Sequence, residues 1–148
     1  MERGEALQFI RQRRSPWAVR LSSWLKHADV RLSYANLAFA TLTGADLAGV
    51  DLHASNLGKA VLRRADLSTA ILRRCSLHGA DLTEAVLCGA DLRAADLRTA
   101  ILCGADLSGA DLRRACFRGA HADPSTRWPA GFDPGAHGVV VEGERPGP

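Results

Sequence analysis

Five histidines and four cysteines are the side chains of this chain most suited to holding a metal or attacking a substrate. His27, His53, His78, His121 and His137 are scattered, and none has a Glu or His partner at ligand spacing. Cys75, Cys88, Cys103 and Cys116 follow no disulfide or zinc spacing. They read as free thiols, which suits a reducing compartment, and cytoplasmic localisation is the expectation. Gly58-Lys59 resembles the end of a phosphate-binding loop, but His53 stands where that loop needs its first glycine and Ala60 where it needs Ser or Thr. No Ser nucleophile with a base can be identified. The aspartates recur at fixed intervals, so a pair of them carries little weight as an acid/base couple. The expectation is a protein that is not an enzyme, with no catalytic, cofactor-binding or metal-ligating residues.

Charge is what remains for binding. Net charge is +3. Residues 1–29 carry six basic and three acidic side chains, residues 30–119 eleven and nine, and residues 120–148 two and four. An excess this mild does not by itself call for nucleic acid. No apolar run reaches the length of a signal peptide or a membrane span, so no membrane insertion is expected.

The element that positions these charges is set by a period of five. From Leu32 to Leu112 a leucine returns every five residues without insertion or deletion, and Phe117 completes the series. A small residue, nearly always Ala, precedes each centre by two. On an α-helix five residues turn about 500°, and on a strand an odd period alternates faces, so neither regular element can bury all the leucines. Each repeat must contain a bend. A triplet such as Ala-Asp-Leu makes a short extended piece with Ala and Leu inward and Asp outward, and the next two residues turn the corner. Gly44, Gly49, Gly79, Gly89, Gly104, Gly109 and Gly119 occupy the second corner position, as turn chemistry favours. Bends of one hand, repeated, give a solenoid in which each coil buries its inner face against its neighbours.

The segments YANL, GADLA, GVDLH, ASNLG, RADLS and GADLR carry a resemblance to the pentapeptide-repeat family over about three-fifths of the chain. The resemblance implies an all-β solenoid, a right-handed quadrilateral β-helix with four pentapeptides per coil, so that position n stacks on position n+20. Residues 30–119 would form about 4.5 coils, a rod of roughly 22 Å at about 4.8 Å per coil. Residues 1–29 would form an N-terminal helical cap. There Ser15-Pro16 reads as a helix start, and Trp17, Leu21, Trp24 and Leu25 share one face. That helix closes the open end of the rod, or docks on a partner or membrane surface. Residues 120–148 would form an irregular C-terminal cap. The register decays at His121-Ala122-Asp123, and Gly and Pro rule out a further regular coil. Trp128, Phe132 and Val139 to Val141 are placed to fold back over the last coil, and the final residues are expected to be disordered.

The same implied stacking sorts the outward residues into faces. One face gathers Ser33, His53, Arg73, Arg93 and Arg113, with Arg74 and Arg114 beside them. The next carries Lys59, Arg98 and Arg118, and the third Arg63 and Arg64. Asp51, Asp91, Asp96 and Asp111 are close enough to offset the stacked arginines. The fourth face is small and mildly acidic, with a stripe of Asp46, Asp66 and Asp106 interrupted by Val86 and no basic residue. The expected function is a non-enzymatic protein-interaction module. It would present Arg73, Arg74, Arg93, Arg98, Arg113, Arg114 and Arg118 to a protein partner of unknown identity. The resemblance supplies the alternative: a topoisomerase-binding mimic of DNA that protects DNA gyrase and gives antibiotic resistance or self-immunity, using Asp46, Asp66 and Asp106. A slightly basic rod fits that alternative poorly. Direct nucleic-acid binding is disfavoured, and the flat fourth face leaves a homodimer open.

Overall fold

The computed structural model describes residues 32–143, so the expected N-terminal helix lies outside the described residues. From Leu32 onward a two-residue turn recurs in every pentapeptide. Parallel bridges join Asn36 to Asn56, Thr41 to Val61, Asp46 to Asp66 and Asp51 to Ile71, and continue up each column at an interval of twenty. The chain therefore has four short sides per coil, with one outward column on each.

Two hydrogen-bond types hold this path. Within a corner, the N–H of each small residue donates back across the turn, as Ala65 does to the Leu62 carbonyl at 3.0 Å. Between coils, three groups per side form the ladder. Leu92 N–H donates to Asp111 O at 2.9 Å, Ala94 N–H to Arg113 O at 3.0 Å, and Asp111 N–H to Ala90 O at 2.9 Å. The backbone polar groups are thus paired between neighbours rather than with water.

The centres are inside, as the period demands. Leucines from Leu52 to Leu107 are 0% exposed, and the alanines two residues earlier are nearly as buried. Ser55 and Cys75 share one of these small inward columns. Their side chains meet at 3.3 Å, which gives a buried hydroxyl and a buried thiol a mutual partner.

The second corner position lies in the left-handed region throughout. Glycine serves there at Gly44 and Gly89 (φ 66° at both), but Thr69, Arg74, Ala94 and Thr99 adopt φ of 56° at equivalent positions. A left-handed residue with a β-carbon costs roughly 1–2 kcal/mol, so the ladder holds the side-chain-bearing corners in a conformation they would not choose.

The outward Asp or Asn has a structural task that spacing did not reveal. Its Oδ1 accepts the N–H two residues on, at 2.9 Å for Asp66 to Ser68, 3.0 Å for Asp81 to Thr83 and 3.0 Å for Asn56 to Gly58. This side-chain turn satisfies the first corner N–H, which has no carbonyl above or below it.

Beyond Gly119 the structure departs from the expected loss of register. His121–Ala122, termed β1, pairs in parallel with Val140–Val141, termed β2. His121 also bridges Ile101, and Arg127 bridges Asp106 at an interval of twenty-one. The coil therefore continues for two further sides with one inserted residue. Asp123 Oδ1 accepts Gly104 N–H at 3.1 Å, and Thr126 Oγ1 donates to Leu102 O at 2.9 Å, so side chains patch the ladder around the insertion. Trp128 then stacks on Phe132 (centroids 5.0 Å apart), and both meet the Phe117 ring edge-on. Val139 is buried against the same core.

Candidate interaction faces

Stacking at twenty-residue intervals brings five of the expected arginines together. Arg73, Arg74, Arg93, Arg113 and Arg114 line one shallow groove of 880 Å³ with His53 and Ala94. Arg98 and Arg118 stand on the adjoining face, one corner away.

The groove is less positive than the arginine count suggests. Arg93 binds Asp91 in its own strand, with Nη2 to Oδ2 at 2.7 Å, and reaches Asp111 of the next coil at 3.7 Å. Arg73 reaches Asp91 at 3.4 Å, and Arg113 holds Asp111 at 2.6 Å. Arg93 thus serves both its own aspartate and the one above, Arg73, whose own strand carries Ile71, only the one above, and Arg113 only its own. The arginine hydrogen bonds hold the carboxylates down. The Arg113 guanidinium keeps Asp111 at about 2, and Arg93 lowers Asp91 likewise. Asp51 instead accepts the His53 N–H at 2.9 Å.

Second-corner arginines behave differently. Arg74 and Arg114 make no ion pair among the described residues: the corner stacked between them is Ala94, whereas Arg64, at a corner of the same left-handed conformation, has Glu84 one coil on. They flank Ala94 two coils apart, about 10 Å along the axis. On the neighbouring faces Arg98 is paired with Asp96 at 2.7 Å, Arg64 with Glu84 at 2.5 Å and Arg63 with Asp81 at 3.6 Å. Arg118 has no carboxylate partner among the described residues. What separates paired from free guanidinium groups is whether a carboxylate stands within reach in the same repeat or one coil above, as for Arg93, Arg63 and Arg64 but not for Arg74, Arg114 or Arg118.

The fourth face carries Asp46, Asp66, Val86 and Asp106 in one column as expected, but it is not free of basic residues. The inserted residue brings Arg127 onto its end, 3.8 Å from Asp106. Val86 is 37% exposed in the middle of the stripe. Three carboxylates, a valine and an arginine make a broken acidic line.

Among the described residues no group of His, Cys, Asp or Glu is arranged to hold a metal ion, and no helix is long and apolar enough to cross a membrane. The cysteines are free thiols. Burial pushes Cys75 up to about 11, which makes it a poor nucleophile.

A model of the family described as pentapeptide repeats matches residues 31–68, 51–87 and 80–119. The chain belongs to the pentapeptide-repeat family. Among solved structures it is similar to alr5209, a pentapeptide-repeat protein from Nostoc PCC 7120, at 38% identity and a TM-score of 0.59, over 72% of this chain and 84% of that one. Rfr23, a pentapeptide-repeat protein from the cyanobacterium Cyanothece 51142, is 33% identical over 63% of each chain, with a TM-score of 0.33. QnrB1, a plasmid-mediated fluoroquinolone resistance protein, is 19% identical over 78% of this chain and 66% of that one, with a TM-score of 0.40. Comparison with curated proteins gives no match. Membership of the pentapeptide-repeat family makes the fold a right-handed β-helical solenoid.

Proposed function

We propose that this pentapeptide-repeat protein is a non-enzymatic interaction module, a rigid β-helical rod of about 4.5 regular coils closed by an N-terminal helical cap and an irregular C-terminal cap. Its contact surface is the arginine-lined face with Arg74 and Arg114 as principal contacts, flanked by Arg98 and Arg118. One observation carries this reading: Arg74 and Arg114 are unpaired on a groove whose other arginines are neutralised by aspartates. A guanidinium without an internal partner can form a bidentate contact without first breaking one. The partner that fits is a protein presenting carboxylates about 10 Å apart. Capture from the source cell tests this with wild-type protein and an Arg74→Glu, Arg114→Glu variant. A protein retained by the first and lost by the second is expected. Identical retention by both would remove this face.

The alternative, a topoisomerase-binding mimic of DNA, would use Asp46, Asp66 and Asp106. It has weaker support, because mimicry of a phosphate backbone needs a continuous line of negative charge, and Val86 and Arg127 break this one. Folded protein that inhibits gyrase supercoiling, or rescues it from a quinolone, would establish it.

A further inference from the structure

The coil ends unevenly. Residues 120–143 supply ladder partners to part of the end: Val140 N–H donates to Ala120 O at 2.8 Å, Glu142 N–H to Ala122 O at 2.8 Å and Gly119 N–H to Gly138 O at 2.9 Å, although Phe117 N–H and Ala115 C=O have no partner among the described residues. The side formed by residues 111–115 has none of its three. Every coil below uses two donors and one acceptor to reach the next. In this last strand those groups are Leu112 N–H, Arg114 N–H and Ala110 C=O, and none has a partner among the described residues. The chain supplies no further strand there: it turns at Pro129-Ala130-Gly131, where Phe132 N–H donates back to Pro129 O at 3.1 Å. A pocket of 610 Å³ remains, floored by Leu112 and Phe132 and rimmed by Arg113, Arg114 and His137. Leu112 is only partly buried, although its counterpart one coil below, Leu92, is 0% exposed.

We propose that this end slot binds one extended strand of a partner protein with an acidic residue followed by an aliphatic one. The register follows from the ladder. The acidic residue donates its N–H to Ala110 O and accepts from Leu112 N–H. The carbonyl two residues on accepts from Arg114 N–H. The aliphatic side chain stacks on Leu112. The acidic side chain meets Arg113, as Asp91 meets Arg73 at 3.4 Å and Asp111 meets Arg93 at 3.7 Å in the coils below. Arg113 is the first-corner arginine on this face that has its own aspartate but none above it. Charge, backbone register and the apolar floor thus specify the same short sequence. The slot adjoins the side groove and shares Arg113 and Arg114 with it, but its open backbone groups and Leu112 belong to the slot, so it stands whether or not that groove binds a partner.

The test is an NMR titration of ¹⁵N-labelled full-length protein with the capped peptide Ser-Gly-Ala-Asp-Leu-Ser-Gly, and with a control in which Lys replaces Asp. The expected result is saturable shifts centred on the Leu112 and Arg114 amides at up to millimolar peptide, with the control weaker by about tenfold. Arg113→Glu reverses the preference, and Arg74→Glu leaves it unchanged, which separates the slot from the side groove. Equal binding of the two peptides, no binding, or shifts centred elsewhere overturn the proposal. Hydrogen exchange of the free protein supplies a second measurement. Fast exchange at Leu112 and Arg114 is expected. Protection in a dimer would assign the slot to a second copy, and protection in a monomer to the chain's own residues, and either would overturn a partner strand.

Discussion

Asp111 shows what one outward residue does in this fold. Its Oδ1 closes the corner by accepting Arg113 N–H at 3.2 Å, while both oxygens hold the Arg113 guanidinium. These bonds favour the charged form and lower the carboxyl from its ordinary 3.8 to about 2. A carboxyl depressed on folding contributes stability that is complete above its unfolded value and is lost as pH falls through its folded value. Stability should therefore decline between about pH 4 and pH 2, with Asp91, Asp96 and Asp106, also lowered, contributing in the same direction. Carboxyl-carbon NMR should give an Asp111 midpoint near 2 in the wild type and a higher midpoint in Arg113→Gln. An unchanged midpoint would show that the arginine is not the cause.

At the scale of the repeat, inward centre and outward corner make opposite predictions. Leu92 is wholly buried between coils that have no room to collapse sideways. Leu92→Ala should cost about 2–5 kcal/mol, and Leu92→Asp more, because an unpaired charge would be buried. Thermal melts followed by circular dichroism would read both, and a wild-type melting temperature in Leu92→Asp would contradict the inward assignment. Thr69 is exposed at a left-handed corner with φ 56°. Its β-branched side chain is ill suited to that region, so Thr69→Gly should stabilise by about 0.5–1 kcal/mol in urea unfolding. Gly89→Val, at the equivalent corner one coil on (φ 66°), should destabilise.

For the molecule as a whole, neutralisation along the arginine face decides between partner classes. Nucleic-acid affinity grows with the number of phosphates neutralised, and a groove with two unpaired arginines offers few such contacts. Filter retention of duplex DNA should be absent at about 0.15 M salt. Retention that persists there and disappears in an Arg73→Glu, Arg93→Glu, Arg113→Glu variant would restore nucleic acid as the partner.

Much of the rod was legible in the sequence, because a solenoid's contacts recur with its period. Once leucine returns every five residues, inward and outward positions follow, and Leu32 to Leu107 are buried as the pattern requires. The twenty-residue stack brought Arg73, Arg93 and Arg113 onto one face, as the family resemblance implied. What lay beyond the pattern needed tertiary structure, for physical reasons. Free and paired arginines differ in which carboxylate the stacked coils bring within reach, which residue type alone does not encode. Arg127 reaches the acidic face only because one inserted residue is absorbed by Asp123 and Thr126, a compensation invisible in a pattern that has already lost its leucines. The unpaired edge at Leu112 and Arg114 depends on where residues 129–132 turn away. A period specifies how coils stack on one another, and only the folded chain decides which side the last coil leaves open.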